Sequence, residues 1–282
     1  GHARLDLGQG GQTPRLRDTL KDRFPGLFHL TASADRLSFL GYARNYTDAR
    51  SEIDELRQTL DRARVLGEDD VRFSAFPMSL SVIPTFFDYS HSLALAFDIE
   101  DRFSVKLDHG KMGDIELTRK ETEVFKGLVH FPELSDKGLA QLVKVSRQAV
   151  SKMRREFEAE GLLRTARLPN LRLLGFELYV TAFARFVPSA TLRSRADAVE
   201  RLLHVASVPF LVSDDAEIAT VGVSKSYEEF STLRSGLTKH FEEKGYLEGD
   251  PEVYVGLTST TELLRNCEFW PLVEDLTGPA PK

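Results

Sequence analysis

The feature that most limits the folds open to this chain is a weak internal repeat. Leu37 to Asp61 reads LSFLGYARNYTDARSEIDELRQTLD, and Ile218 to Glu242 reads IATVGVSKSYEEFSTLRSGLTKHFE. Laid together without a gap at an offset of 181 residues, Gly41 meets Gly222, Arg44 meets Lys225, Tyr46 meets Tyr227 and Leu56 meets Leu237. Identity is low, and the shared property is pattern. Each copy alternates apolar residues as a strand does, then switches to helical spacing. Two copies so far apart imply one small domain built twice.

The pattern extends on both sides. In the second copy, Glu177–Phe186 reads as a strand, and Arg195–His204 as a helix with Ala198, Leu202 and Val205 on one face. Val208–Val212 and Glu217–Ser224 read as strands joined by a turn at Asp214-Asp215. Tyr227–Lys244 reads as a helix and Glu252–Leu257 as a last strand. The order βαββαβ is ferredoxin-like. In the first copy, Ala3–Leu7 is a short strand, Pro14–Arg23 a helix, Leu27–Thr31 and Arg36–Arg44 strands, Asp48–Leu66 a helix and Val71–Phe76 a strand. A glycine at the matched strand position leaves room for a close backbone or ligand approach. Gly41, Tyr46, Gly222 and Tyr227 are therefore the candidate effector-binding residues.

Between the copies, Leu117-Thr118-Arg119-Lys120-Glu121 carries a capping box, Thr118 with Glu121 three residues on. Val124, Phe125, Leu128 and Val129 share one face of the helix that follows, which ends near Pro132. Ser135 caps a second helix with Leu139, Leu142 and Val143 inward. After the tight connection Lys144-Val145-Ser146, Ser146 caps a third helix that runs to about Glu160, where Gly161 stops it. Val150, Met153 and Phe157 form its inner face. Arg147, Ser151, Arg154 and Arg155 form its outer one, with Gln148 and Lys152 at the edge. Leu162–Arg167 and Leu171–Leu174, either side of Leu168-Pro169-Asn170, read as a β-hairpin. Three helices and a hairpin make a winged helix-turn-helix, whose third helix enters the major groove of duplex DNA.

Charge decides whether this module meets DNA. The chain carries a net −6, so it is no polyanion binder as a whole. From Ser135 to Arg172 there are nine Lys or Arg and four Asp or Glu, a local excess of +5. Arg147 and Gln148 are long forked donors suited to guanine and adenine. Ser146, Lys152 and the wing arginines Arg164, Arg167 and Arg172 suit phosphates. The expected DNA-binding set is Ser146, Arg147, Gln148, Ser151, Lys152, Arg154, Arg155, Arg164, Arg167 and Arg172.

The run SDKGLAQLVKVSRQAVSKMRREFEAEGLL, followed by RTARLPNLRLLGFELYVTAFARF, resembles the Lrp/AsnC family of prokaryotic transcription regulators. The resemblance covers about residues 117–257. It implies a helix-turn-helix leading into a βαββαβ domain that dimerises and senses small molecules. This chain departs from the family in carrying a second such domain ahead of the helix-turn-helix.

The expectation is thus an α+β protein: a ferredoxin-like domain at 3–76, a connector at 77–114, a winged helix-turn-helix at 115–175, a ferredoxin-like sensor and dimerisation domain at 176–260, and a tail at 261–282 whose end frays. In the connector, Ser79–Phe87 and Leu93–Phe97 read as strands or buried linker. The function expected is a cytoplasmic, sequence-specific DNA-binding regulator, a homodimer or higher oligomer, responsive to a small-molecule effector. Two alternatives stand beside it: a siroheme-decarboxylase-like enzyme on the same plan, and a winged helix that contacts protein instead of DNA.

Other chemistry is thin. No nucleotide-binding phosphate loop occurs, and Gly8-Gln9-Gly10-Gly11 reads as a flexible loop. His91 follows Asp88 by three residues, a metal half-site without a second pair, so a turn is expected. The lone Cys267 excludes an internal disulfide and a thiolate zinc cluster. Neither a cofactor nor catalysis is expected. The longest apolar runs, such as Leu93 to Phe97, are far too short to span a bilayer. Gly1-His2 reads as a cloning remnant, with sequence upstream missing.

Overall fold

The computed structural model describes residues 1–5, 16, 20, 23–33, 35–67, 71–99 and 116–278. Gly8 to Gly11 and most of the Pro14–Arg23 helix lie outside them, although Leu16 and Leu20 are helical and buried. In chain order the elements are β1 (His2–Arg4), β2 (Leu27–Ala32), β3 (Arg36–Gly41), α1 (Tyr46–Arg62), β4 (Val82–Phe86), α2 (Ser90–Phe97), α3 (Arg119–His130), α4 (Asp136–Leu142), α5 (Arg147–Ala159), β5 (Leu178–Arg185), α6 (Leu192–Val205), β6 (Ser207–Ser213), β7 (Glu217–Ser224), α7 (Tyr227–Lys244), β8 (Glu252–Leu257), β9 (Glu262–Asn266) and α8 (Trp270–Thr277). The fold is mixed α+β with two antiparallel sheets. Among the described residues no helix is long and apolar enough to cross a membrane.

The chain divides into two compact units. One holds Gly1–Arg72, Gly113–Ala166 and Leu263–Lys282; the other holds Phe73–Met112 and Arg167–Glu262.

In the second unit the strands run β4-β6-β7-β5-β8. The last four are ordered as in a ferredoxin-like sheet, and β4 is added beside β6. The β6–β7 turn forms because the Asp214 carboxylate accepts the Ala216 and Glu217 N–H groups at 2.9 and 2.8 Å. The core gathers Phe186, Ala198, Val199, Leu203, Val208, Leu211 and Ile218. Ser226 caps α7 by accepting from the Glu229 N–H, and Gly245, at φ 61°, ends it. Here α6 buries Ala198, Val199 and Leu203, whereas Val205 stays half-buried.

In the first unit the strands run β1-β3-β2-β9. The pairings repeat those of the second unit at the same offset. Leu30 faces Phe39 as Leu211 faces Thr220, and Ala32 faces Leu37 as Ser213 faces Ile218. Arg4 faces Arg36 as Arg185 faces Glu217. The Leu5–Leu66 bridge matches the Phe186–Leu247 bridge. Gly41 on β3 and Gly222 on β7 therefore occupy equivalent strands. The strand read from Arg36 stops at Gly41, and α1 begins at Tyr46 and ends at Arg62. Val71–Phe76 is not a strand. Arg72 alone bridges to His2. His2 is buried and pairs with Ser38.

The largest departure concerns the connector and the tail. Residues 77–99 and 257–278 are one structural motif made twice, a turn, a strand and a helix. Leu80 N–H bonds Pro77 O as Thr260 N–H bonds Leu257 O. Phe87 and Cys267, immediately after their strands, both adopt positive φ, 49° and 55°. Asp88 N–H then bonds Pro209 O, and Glu268 N–H bonds Phe28 O, each at 2.9 Å. So β4, which follows the first copy in the chain, extends the sheet of the second, and β9, which follows the second, extends the sheet of the first. Leu93–Phe97, read as a strand or linker, is the last turn of α2. Short apolar runs do not distinguish the two by period. Asp88 helps start this helix, accepting from Ser90 N–H at 3.0 Å, and Asp98 ends it in the left-handed region. Burial pushes the Cys267 thiol up to about 12, which disfavours its thiolate.

His29 lies in the middle of β2 and is 3% exposed. Burial pushes its imidazole down to about 4. The unfolded chain takes up a proton near pH 6.5 that the folded chain refuses, so this residue lowers stability as pH falls from about 6.5 to about 4. Denaturation across that window should show a loss of roughly 3 kcal/mol that His29→Gln removes.

Candidate nucleic-acid interface

Three helices, α3, α4 and α5, build the candidate interface within the first unit. Each begins on a side-chain cap. Thr118 accepts from Glu121 N–H, and the Glu121 carboxylate in turn accepts from Thr118 N–H at 2.7 Å, closing the capping box. These same bonds from Thr118 hold the Glu121 carboxyl below its usual range. Ser135 accepts from Gly138 N–H, and Ser146 from Ala149 N–H at 3.1 Å. Lys144, at φ 55°, makes the sharp turn between α4 and α5. Val124, Leu128, Leu139, Ala140, Val150 and Phe157 form a common core. Gly127 lets α3 and α4 approach, since a Cβ there would lie 2.5 Å from Leu139 Cδ1.

This packing leaves one face of α5 outward. Arg147, Gln148, Lys152 and Arg155 are exposed and Ser151 is half-exposed. Arg147 and Gln148 stand in the first turn and make no hydrogen bond to described residues. The orphan N–H groups of that turn and the positive end of the helix dipole favour an anion there. Lys152 pairs with Glu156 at 3.5 Å, and Arg155 Nε donates to Ser151 O. These surface contacts are weak enough to exchange for phosphate.

Arg154 differs from its neighbours. It is three-quarters buried, and its guanidinium donates to Asp136 Oδ1 at 2.9 Å, linking α5 to the first turn of α4. Spacing alone could not separate this structural arginine from the outward ones.

The hairpin expected after α5 is absent. No strand occurs from Leu162 to Leu174. Instead Asn170 starts a helix-like turn: its side chain accepts from Leu173 N–H, its carbonyl accepts from Leu174 N–H, and Gly175 at φ 81° closes the turn. Arg164 is exposed in the first unit, and Arg167 and Arg172 are exposed in the second.

Of the candidate effector residues, Tyr46 and Tyr227 open α1 and α7 at the surface, 65% and 67% exposed. Neither lines an enclosed site. Gly41 ends β3 tightly against Leu27, whereas Gly222 lies within β7 on its helix-covered side.

No family model and no curated protein matches the sequence. Among solved structures, LrpC of Bacillus subtilis is similar at 15% identity, covering 50% of this chain and 94% of its own, with a TM-score of 0.38. AsnC of Escherichia coli is similar at 12% identity, covering 50% and 92%, with a TM-score of 0.39. An AsnC family transcriptional regulator from Agrobacterium tumefaciens is similar at 16% identity, covering 50% and 90%, with a TM-score of 0.39. The structural neighbours are thus regulators of the Lrp/AsnC family, alike at low identity over half of this chain.

Arg154→Ala should lower stability by about 1–2 kcal/mol, because it leaves Asp136 without its partner. Arg155→Ala, on the exposed face, should stay within about 0.5 kcal/mol of the parent. Chemical denaturation of the two variants checks the distinction.

Proposed function

We propose that this chain is a DNA-binding transcription regulator whose α5 enters the major groove and whose βαββαβ units dimerise and take a small-molecule effector. The observation that carries the reading is the outward face of α5. Arg147 and Gln148 are unengaged at its N-terminus, with Lys152 and Arg155 beside them, on a helix-turn-helix whose core is complete without those side chains. A protein-contact face would gain from apolar residues at these positions, and an enzyme would have no use for the basic ones. Arg147 and Gln148 read base edges. Ser146, Ser151, Lys152 and Arg155 meet phosphates, and the exposed Arg164, Arg167 and Arg172 add sequence-independent attraction. Arg154 holds the module together and leaves the reading set.

One helix-turn-helix reads one half-site. Two copies related by a two-fold axis would then read an inverted repeat with half-sites about one DNA turn apart.

Selection of duplexes from a random pool supplies the preferred site. On it, Arg147→Ala should cost about 1–3 kcal/mol and relax the preference at one base position. Lys152→Ala should weaken preferred and random duplexes alike and lower the slope of log affinity against log salt by about one. Equal losses on preferred and random DNA for Arg147→Ala would remove α5 from the role of reader.

A further inference from the structure

The two copies of the βαββαβ unit differ in how the helix packs on the sheet. In the first unit α1 buries Ile53, Leu56, Thr59 and Leu60. In the second, α7 buries only Phe230, although Phe230, Leu233, Leu237 and Phe241 fall on one face of it. The helix stands off because a cavity of about 130 Å³ lies between it and the sheet. Ala182, Thr220 and Gly222 form the floor, and Phe230, Leu237 and Phe241 the roof. The floor is low because these are small residues on one face of paired strands: Ala182 faces Thr220, and Val180 faces Gly222.

At the position of Thr220 the first copy carries Phe39, 4% exposed. Phe39 and Thr220 have matching partners in their sheets, Leu30 and Leu211. The ring of Phe39 lies against Gly1, where a Cβ would be only 2.4 Å from it. Aromatic filling in one copy is thus replaced in the other by a threonine and a void. A void of this size is costly to keep in a core. Thr220 adds a polar group to the lining. The residue is 9% exposed, it lines the cavity, and it makes no hydrogen bond to described residues. Its hydroxyl is therefore available to a molecule that enters the cavity. The two buried serines of the lining already have partners: Ser207 bonds Ser92 at 2.5 Å and Ser224 donates to Ser226 O at 3.2 Å.

We infer that the second unit, and not the first, holds a ligand between α7 and its sheet: a compact, neutral, mainly apolar molecule with one hydroxyl or carbonyl group that bonds Thr220. The size is that of a single aromatic ring, since an apolar cavity of roughly 150 Å³ accepts benzene. The lining is mainly apolar, the Glu229 carboxylate in it already accepts the Lys225 N–H and Arg234 is exposed, so the interior disfavours a charged ligand, and the hydroxyl selects one polar contact over none. The assignment gives a site and a ligand class to the effector half of the function above, and rests on that half only for its biological purpose. Filling the cavity would draw α7 and the sheet into one packed layer.

The test uses the full chain without DNA, so that a failure here is separable from a failure of DNA binding. Phenol and toluene are titrated calorimetrically at millimolar concentration. Both should bind, phenol more tightly. Thr220→Val should weaken phenol about five- to tenfold and leave toluene unchanged, because only the hydrogen bond is lost. Thr220→Phe, which installs the side chain of the first copy, should abolish both and raise the melting temperature. Leu237→Trp closes the same space from the helix side and stands in should Thr220→Phe fail to fold. The assignment is overturned if the folded parent binds neither probe, if phenol binds no tighter than toluene, or if both probes still bind to a folded cavity-filling variant.

Discussion

Each sheet in this protein depends on a borrowed edge strand. A βαββαβ unit leaves the strand after its first helix at the margin, with a row of unpaired N–H and C=O groups. In the second unit that strand is β6, and β4 pairs with it. In the first unit it is β2, and β9 pairs with it. The backbone hydrogen bonds that follow each added strand, from Asp88 to Pro209 and from Glu268 to Phe28, are the same bond made twice. Without them, two edges of apolar strands would face water. Neither unit is therefore a continuous stretch of chain. The segment after each copy completes the other copy.

That exchange also positions the candidate DNA reader. The segment that carries β9 goes on into α8, and α8 packs against α3 of the helix-turn-helix. The buried Lys126 donates to Thr277 O at 2.9 Å, and His130 stacks on Trp270 with ring centroids 4.8 Å apart. On the sheet side, Phe269 stacks on Phe28, and the buried Arg265 donates to the carbonyls of Phe24 and Leu27. One strand and one helix thus tie the three-helix module to the first sheet. A residue such as Arg147 gains precision from this, because a reader held on rigid elements loses less entropy when it docks.

The two units share a backbone plan and differ in how it is filled. The registers of the three shared strands match, yet the cores do not. Glu52 in α1 stands where α7 has Leu233, and its carboxyl is pushed up by burial, against the pull of the Gly26 N–H and of Arg265. Phe39 stands where β7 has Thr220. The first copy is filled at this position and the second holds open space. The same backbone can do both because pairing is made by main-chain groups, whereas filling is decided by side chains.

How much of this was legible follows from the range of the interactions involved. Caps are local, so Thr118 with Glu121, Ser135 and Ser146 announced the starts of three helices. The bounds of β7, α7 and β8 read the same from spacing and from structure, because period and capping lie within a few residues. The 181-residue offset carried the equivalence of β3 and β7. Local signals failed where the deciding partner was distant. The stretch from Leu93 to Phe97 was ambiguous because a short apolar run fits strand or helix until its neighbour is known. Arg154 matched its outward neighbours in sequence, and only the crossing of α4 over α5 brought Asp136 to it. The tail looked like an end because nothing in its own residues says that a sheet edge 240 residues earlier in the chain needs a strand; the pairing joins Phe28 to Glu268 across most of the sequence. The sequence by itself determined the elements, their order and the basic face of α5, since these depend on propensity, period and charge. The tertiary structure alone decided which strand closes which sheet and where a void remains, since both depend on groups that meet only after the chain has folded.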